Sequence, residues 1–299
     1  MALTADRPVS NVTRSVTAPG VLHMTSPRGR TLRWVSNVVL LVIAVCFAVP
    51  LLWLVLASFD AQASLSVKVP SQFTLDNFTQ VLTPELSFVP LANSLLLSGG
   101  TAVVTVVAAL LAAYPLSRYK MRVNKPFLYS ILFGTGLPIT AMMVPVYALF
   151  VSLNLIDNIY GCIFFLAATS LPMAIWMAKN FMDSVPISLE EAAWTDGASM
   201  FTTLTRIVVP LMRPGIAVVF IFVFIQAWGN FFVPFVLLLS PDKVPAAVSI
   251  FNFFGQNGAV AYGQLAAFSI VYSLPVIALY VLVSRGLGGG NALAGGIKG

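Results

Sequence analysis

The sequence predicts an all-α integral membrane protein with six transmembrane helices. Of its 299 residues, 59% are hydrophobic and only 9% are charged, whereas soluble domains carry roughly a quarter charged residues. Six long intervals contain no Asp, Glu, Lys or Arg, namely residues 34–59, 86–117, 126–156, 158–178, 214–241 and 244–284. Each exceeds the roughly 20 apolar residues that a helix needs to cross a bilayer. Backbone groups in lipid must be paired within a span, and the alternation of a barrel strand is missing, so helices are predicted.

The first predicted span covers residues 35–58. Residues 1–33 before it are polar, rich in Ser, Thr and Pro, and predicted to be a disordered tail. This tail lacks the apolar core of a cleavable signal, so the first span is expected to remain as an anchor. The transmembrane domain is predicted over 34–285, with further spans at 91–117, 127–151, 159–180, 215–239 and 263–284. Residues 286–299 are predicted to be a flexible tail.

The basic residues indicate the orientation of the chain. Lys and Arg in short loops are retained on the cytoplasmic side, and an internal N-terminus leaves only Lys68 and Lys243 of the 16 basic residues outside. Both termini are therefore predicted to be cytoplasmic, in a multi-pass protein of the inner (plasma) membrane. The net charge of +6 is explained by this topology, because the basic residues are spread over separate segments instead of one nucleic-acid-binding surface.

Two external segments connect the spans. Residues 59–90 contain an amphipathic stretch around Phe73 and Phe78, which predicts a short helix lying against the membrane surface. Residues 240–262 are predicted to form the second external loop.

The longest internal cytoplasmic segment is the loop at 181–214. Ser188 followed by Glu191 is a capping-box pattern that predicts a helix from Leu189, and Gly197 is suited to end it in the left-handed conformation. A second short helix is predicted over 199–208. From periodicity alone this helical hairpin either covers the ends of the spans or binds a partner.

The residue pattern of this loop resembles the "EAA" loop of binding-protein-dependent ABC importer permeases. It reads Glu190-Glu-Ala-Ala193, then Asp196-Gly-Ala198, then Ile207-Val-Val-Pro210 and Pro214-Gly215. Over residues 30–299 the chain is similar to the second permease subunit of the carbohydrate-uptake, maltose-transporter type. Leu75-Asp-Asn-Phe78 and Trp228-Gly-Asn-Phe231 support this likeness, although Gly229 and Asn230 depart from the family's Asn and acidic residue. A type I ABC importer transmembrane domain is implied.

The resemblance also implies the partners of the chain and its contact residues. The implied partners are a paralogous permease, an ATP-binding subunit dimer that holds ATP and Mg, an extracytoplasmic solute-binding protein and membrane lipid, without nucleic acid. Small residues allow close approach to the ATPase, and Glu190 and Asp196 are suited to pair with its basic groups. The ATPase-coupling residues are implied to be Glu190, Glu191, Ala192, Ala193, Asp196, Gly197, Ala198, Arg206 and Pro210.

The spans hold no charged residue away from their ends, which disfavours an ion-coupled site. Amide and aromatic groups suit a neutral, hydroxyl-rich solute, and the candidates for the translocation path are Gln226, Trp228, Asn230, Tyr272 and Met142. Gln226 and Asn230, four positions apart, are equally suited to hydrogen-bond a neighbouring helix. The solute is expected to be a sugar, with a glycerophosphodiester or a polyol as the alternative.

Several functions are disfavoured by what the sequence lacks. His23 is the single histidine, so a catalytic or metal-binding histidine cluster is not expected. No phosphate-binding glycine loop occurs, so the chain is predicted to bind no nucleotide or other cofactor and to catalyse no reaction. An ATP-independent channel or secondary transporter is the remaining alternative, but it would leave the acidic loop without a role.

Overall fold

A computed structural model describes residues 27–136, 138–254 and 260–286, which are almost entirely helical. In these ranges the only β-type pairs are two isolated bridges. Two π-turns, Pro84–Phe88 and Leu204–Val208, and one 3-10 turn, Ile250–Phe253, adjoin the helices. The α-helices are α1 (Pro27–Ser58), α2 (Asp76–Val81), α3 (Val89–Arg118), α4 (Asn124–Gly134), α5 (Ile139–Ser152), α6 (Ile159–Asp183), α7 (Ile187–Thr195), α8 (Met200–Thr203), α9 (Val209–Leu211), α10 (Arg213–Trp228), α11 (Phe232–Leu237), α12 (Ala246–Ser249) and α13 (Tyr262–Gly286).

The predicted all-α membrane fold is confirmed. By length and composition, four helical segments in the described ranges can cross a bilayer: 34–58, 84–118, 159–183 and 262–286. The number rises to six if two bent helix pairs each count as one span, α4 with α5 and the segment 200–211 with α10. The predicted tails fall largely on residues 1–26 and 287–299, outside the described residues. Residues 27–33, predicted as tail, are helical, because Pro27 is suited to the first turn of a helix.

Two predicted spans, 127–151 and 215–239, are broken where continuous helices were expected. The first breaks between Gly134 and Ile139, and the second between Trp228 and Phe232. Pro138 lies in the first break and Pro234 in the first turn of α11, and neither has an N–H to pair with the carbonyl four residues earlier. Glycines at 134, 136 and 229 further lower the helix propensity at these points. The two breaks therefore follow from local sequence.

The chain divides into two compact units between Leu51 and Leu52, within α1. In the first unit, α1 presents exposed apolar side chains such as Leu40, Leu41 and Phe47. Such a surface is suited to lipid or to another apolar helix. Cys46 is exposed there, whereas Cys162 of the second unit is buried.

The second unit is built around α3, α6 and α10. Its largest buried cluster contains alanines of α3 and α6, including Ala102, Ala109, Ala174 and Ala178. Because small residues let helix backbones approach closely, van der Waals packing can hold these helices together in lipid. Gly100 shows how close the approach is, since a Cβ there would lie 2.8 Å from Ile163 Cδ1.

One end of this unit carries α7, and is called the α7 end below. The opposite end is fixed by Asp157, whose backbone has a φ of 60°. Its carboxylate accepts hydrogen bonds from the backbone N–H groups of Leu239 and Ser240, each 2.9 Å long, and from Lys243 Nζ at 2.7 Å. The bonds from Lys243 and from the Ser240 hydroxyl hold the pKa of the Asp157 carboxyl well below its usual value. The loop after α11 is thus held against the α5–α6 connection.

The short helix predicted between residues 59 and 90 is α2, and one side of it packs on protein. Val81 is fully buried in a cluster with Phe253 and Phe268. Asn77 Nδ2 donates to the carbonyls of Ser58 and Asp60, each at 3.1 Å. The predicted surface helix is therefore part of the folded unit.

Candidate functional site

The helix α7 is the first half of the predicted coupling loop, and it begins earlier than its sequence predicts. It starts at Ile187 after Pro186, which has an extended ψ of 127°, and no side chain caps its N-terminus. The prediction that Ser188 and Glu191 form a capping box is therefore wrong. The physical reason is that Pro186 holds the residue before the helix extended, so that Ser188 already lies inside the first turn.

The predicted end of α7 is confirmed. Gly197 has a φ of +84°, the left-handed conformation that favours glycine. The N–H of Gly197 donates to the Trp194 carbonyl at 3.0 Å, and that of Ala198 donates to the Ala193 carbonyl at 2.9 Å. This pair of bonds is a Schellman motif, which satisfies the last carbonyls of a helix. Gly197 therefore acts through its own backbone.

Glu190 is completely buried and paired within this chain. Its Oε1 accepts a hydrogen bond from Arg118 Nε at 2.6 Å, and its Oε2 accepts one from the Tyr114 hydroxyl at 2.9 Å. We call these three residues the α7 anchor. The expectation that Glu190 pairs with a basic group of another protein is corrected, because both of its carboxylate oxygens already have partners on α3.

The anchor is extended by a second set of contacts between α3 and α6. Arg118 Nη2 donates to the Val185 carbonyl at 3.2 Å, and Nη1 donates to the Ser117 hydroxyl at 3.0 Å. Ser117 in turn donates to Asp183, which also pairs with Lys179 at 2.6 Å. Arg118 also lies in the last turn of α3, where a cation is stabilised by the helix dipole. The position of α7 is therefore fixed to the ends of two long helices.

The opposite side of α7 is exposed and combines apolar with acidic residues. Ala193 is buried beside Glu190, whereas Ala192 is exposed and Ala198 is half-buried. Exposed apolar side chains rimmed by polar groups are typical of protein–protein contact surfaces. We define the α7 outer face by Ile187, Leu189, Glu191, Trp194 and Asp196, all of which are exposed.

The second half of the loop is a continuous helical arm, residues 200–211. Ser199 caps it, because its Oγ accepts the Thr202 N–H at 3.2 Å. Val208 is fully buried, whereas Arg206 is exposed. The turn before Pro210 is π-helical, and the Val209 N–H donates to the Leu204 carbonyl. Since Pro210 has no N–H for the carbonyl four residues earlier, a wider turn accommodates it within the arm.

The five predicted path residues do not lie together. Gln226 and Asn230 line a cavity of about 370 Å³ between the end of α4, α6 and α10. Trp228, on the other side of α10, is buried and stacks on Phe224 and Tyr272, and the Tyr272 hydroxyl donates to the Trp228 carbonyl at 2.6 Å. Met142 is half-buried on α5 and does not line this cavity. Trp228 and Tyr272 therefore lie outside this cavity, which contains Gln226 and Asn230, and Tyr272 lines a separate cavity of about 510 Å³.

Comparison with known proteins assigns the chain to a family. Residues 104–289 match the model of the family described as "Binding-protein-dependent transport system inner membrane component". The chain belongs to this family. It is also 34% identical over 230 residues to a putative ABC transporter permease of Streptomyces antibioticus, covering 77% of this chain and 100% of that protein. The chain is thus a permease subunit of a membrane transport system.

Two further relatives are named by what they transport. The permease is 30% identical to the trehalose/maltose transport system permease MalG of Thermococcus litoralis, with 88% of this chain and 98% of that protein covered. It is 29% identical to the sulfoquinovosyl glycerol transport system permease SmoH of Agrobacterium fabrum, with 95% and 98% covered. A chain of a bacterial ABC transporter that imports alginate has the same fold, with 23% identity, a TM-score of 0.75, and coverage of 87% and 98%.

Sequence reasoning missed part of each site in the permease. Arg118 was assigned only to topology and Tyr114 to no role, because their contact with Glu190 spans more than 70 positions. The hydroxyl residues Thr135, Thr169 and Ser170 of the cavity were also missed. The glycines and the proline of Gly134–Pro138 indicate a helix break in the sequence, but only the fold shows that this break lies opposite α10.

Proposed function

We propose that this permease is one of two membrane subunits of an ATP-driven importer, and that the α7 outer face is the surface that a separate ATPase grips. The observation that carries this proposal is the division of α7 into a buried side and an exposed side. Glu190 fixes the helix to α3, while Trp194, Glu191 and Asp196 remain available to a partner. A partner that moves this face would move α3 and α6 as well, since the α7 anchor and the Asp183 contacts connect them.

The residues of the coupling loop then divide between two roles. Glu190, Ala193, Gly197 and Pro210 shape the loop, because they are buried, left-handed or internal to the helical arm. The remaining coupling residues are accessible for contact with the ATPase, namely Glu191, Ala192, Asp196, Ala198 and Arg206. ATP and Mg would be held by that partner, so that the chain itself needs no nucleotide site.

The proposed assembly contains a paralogous permease, two copies of the ATPase and an extracytoplasmic solute-binding protein. Both termini and the α7 end face the cytoplasm, which agrees with Arg118, Lys179 and Arg206 lying at that end and with Lys243 lying at the other. The solute is a sugar or a sugar-like compound, as in the trehalose/maltose relative. A glycerophosphodiester or a polyol is the alternative within the same importer class.

Site-specific photo-crosslinking in native membranes tests the contact with the ATPase. Benzoylphenylalanine in place of Trp194 is expected to form an adduct with an ATP-binding protein on irradiation. Trp176 is the matched control, because it is similarly exposed, at 40% against 42%, but lies within α6. An adduct from neither position, or equal capture from both, would contradict the proposal. Solute uptake that persists without ATP would instead favour a channel or secondary transporter.

A further inference from the structure

Five of the nine residues that line the cavity between α4, α6 and α10 are polar. Its polar lining consists of Thr135 at the end of α4, Thr169 and Ser170 on α6, and Gln226 and Asn230 at the end of α10. Phe222 and Met173 provide apolar walls. Its volume of about 370 Å³ falls within the range of roughly 300–1,000 Å³ that small-molecule sites occupy.

The cavity lies near the middle of the span. Gly215 packs directly on Phe181, which places these two residues at one depth. Gln226 is eleven positions further along α10, and Ser170 is eleven positions back along α6, so both lie about 16 Å above that level at 1.5 Å per residue. Ser170 is also eleven positions from Ile159, where α6 begins. The polar groups are therefore at a depth where lipid offers them no hydrogen bond.

Much of the hydrogen-bonding capacity in the cavity is unused. Within the described part of the chain, neither the Gln226 amide nor the Ser170 hydroxyl is hydrogen-bonded to another residue. The Asn230 Oδ1 accepts the Val233 N–H at 3.1 Å, which leaves its NH₂ group available. The Thr135 and Thr169 hydroxyls donate to their own helices, so their oxygens can still accept. Among the described residues, the Asn230 side chain thus bonds only the Val233 N–H of α11 and the Gln226 side chain bonds none, so the cavity offers both donors and acceptors.

All five polar side chains are uncharged. An anionic or cationic solute would lose its hydration there without meeting an opposite charge, which is strongly unfavourable. A hydroxyl group both donates and accepts, so it matches amides and hydroxyls equally well. Phe222 and Met173 can contact the apolar faces of a ring.

We infer that the α4–α6–α10 cavity is a binding site for a neutral, hydroxyl-rich solute during its passage through the permease. The inference rests on the proposed importer function, and it adds the place and the chemistry of the solute contact. This subunit provides nine lining residues of the site, and Gln226 and Ser170 are its principal hydrogen-bonding residues. Solutes with a carboxylate or a sulfonate are excluded from it.

Saturation-transfer NMR on the purified permease–ATPase complex in nanodiscs, without the binding protein, tests this site. The probes are glucose, maltose, trehalose and, as a charged comparison, glucuronate. The neutral sugars are expected to give transfer signals and glucuronate none. In the Ser170→Ala/Gln226→Leu variant the apparent dissociation constant for the sugars should rise about tenfold or more, since two hydrogen bonds are lost. Ser273→Ala, a hydroxyl change on α13 outside the cavity, should leave it unchanged.

Three results would overturn the inference. The first is no transfer signal from any of the neutral sugars with the unaltered complex, which would indicate that the cavity holds only water. The second is an unchanged sugar affinity in the double variant. The third is a transfer signal from glucuronate equal to that of the sugars. ATP hydrolysis by each complex separates this inference from the importer proposal. If hydrolysis and the Trp194 adduct are retained while the cavity variants bind sugars normally, only the cavity is wrong. If the adduct is absent while cavity binding follows the expected pattern, only the coupling proposal fails.

Discussion

Replacing Arg118 by methionine tests whether the α7 anchor fixes the coupling helix. The change removes the cation that lies 2.6 Å from the buried Glu190 carboxylate. Breaking a buried ion pair from one side costs about 3–5 kcal/mol, because the remaining charge has no counter-charge. The Tyr114 hydroxyl still donates to Glu190, which favours the lower value. We therefore expect the free energy that keeps α7 docked to fall by about 3 kcal/mol.

Hydrogen exchange of the α7 amides in the purified complex measures this change. Exchange through local opening follows the population of the open state, and each 1.4 kcal/mol is a factor of about ten. Residues 187–195 should therefore exchange about a hundredfold faster in Arg118→Met. The ATP hydrolysis that accompanies transport should become uncoupled in parallel, since the outer face would no longer move with α3.

Two comparisons make the test specific. Lys179→Met breaks the more exposed pair with Asp183, which is worth well under about 1 kcal/mol, and should leave α7 exchange nearly unchanged. Arg118→Met/Glu190→Gln removes both charges, and its exchange should lie closer to that of the unaltered protein than Arg118→Met does. Unaltered exchange in Arg118→Met, or simple addition of the two single effects, would refute the reasoning.

Three further predictions concern the backbone, the opposite end and the core. Gly197→Ala forces a side chain into the left-handed region and should destabilise the end of α7 by about 1–2 kcal/mol; unchanged amide exchange at residues 196–198 would contradict this. The Asp157 pKa is lowered in the folded protein, so its stabilisation is present above the ordinary value of about 3.9 and declines as pH falls below it. The difference in melting temperature between the unaltered protein and Asp157→Asn should therefore be constant from about pH 5 to 8 and shrink below about pH 4, whereas a difference that grows on acidification would disprove it. Gly215→Ala places a Cβ closer than van der Waals contact to the Cβ and Cγ atoms of Phe181 and should lower stability by about 1–3 kcal/mol. Gly99→Ala, which meets no atom within 4 Å, should be tolerated. Equal melting temperatures for the two variants would argue against this packing.

The class of fold could be predicted from the sequence, because the thickness of the bilayer sets the minimum length of the charge-free intervals. The sequence was less sufficient for helix continuity. Pro138 lies in one break and Pro234 just after the other, but Pro115, Pro172 and Pro275 lie inside continuous helices. Whether a proline ends a helix in lipid depends on what pairs the freed carbonyl, and neighbouring helices decide that.

The candidate sites show a similar division. The loop pattern located α7 and its end at Gly197, since both depend on residues close together in sequence. It could not reveal that Glu190 faces inward, because Arg118, the cation that pairs with its carboxylate, lies on another helix. It likewise identified Gln226 and Asn230 but could not separate them from Trp228, whose different surroundings arise from the opposite face of α10.

The two helix breaks meet at the same cavity, with Thr135 on one side and Asn230 on the other. Beyond them, α5 and α11 share one hydrophobic cluster that contains Met143 and Val233, whereas the arm next to α7 belongs to a different cluster with Val208. The wall of the cavity thus has a helix break on two sides, while the continuous helices α3 and α6 contribute residues to both clusters. A change in backbone torsion at either break would reshape the wall of the cavity, while α3 and α6 could keep their packing on each other.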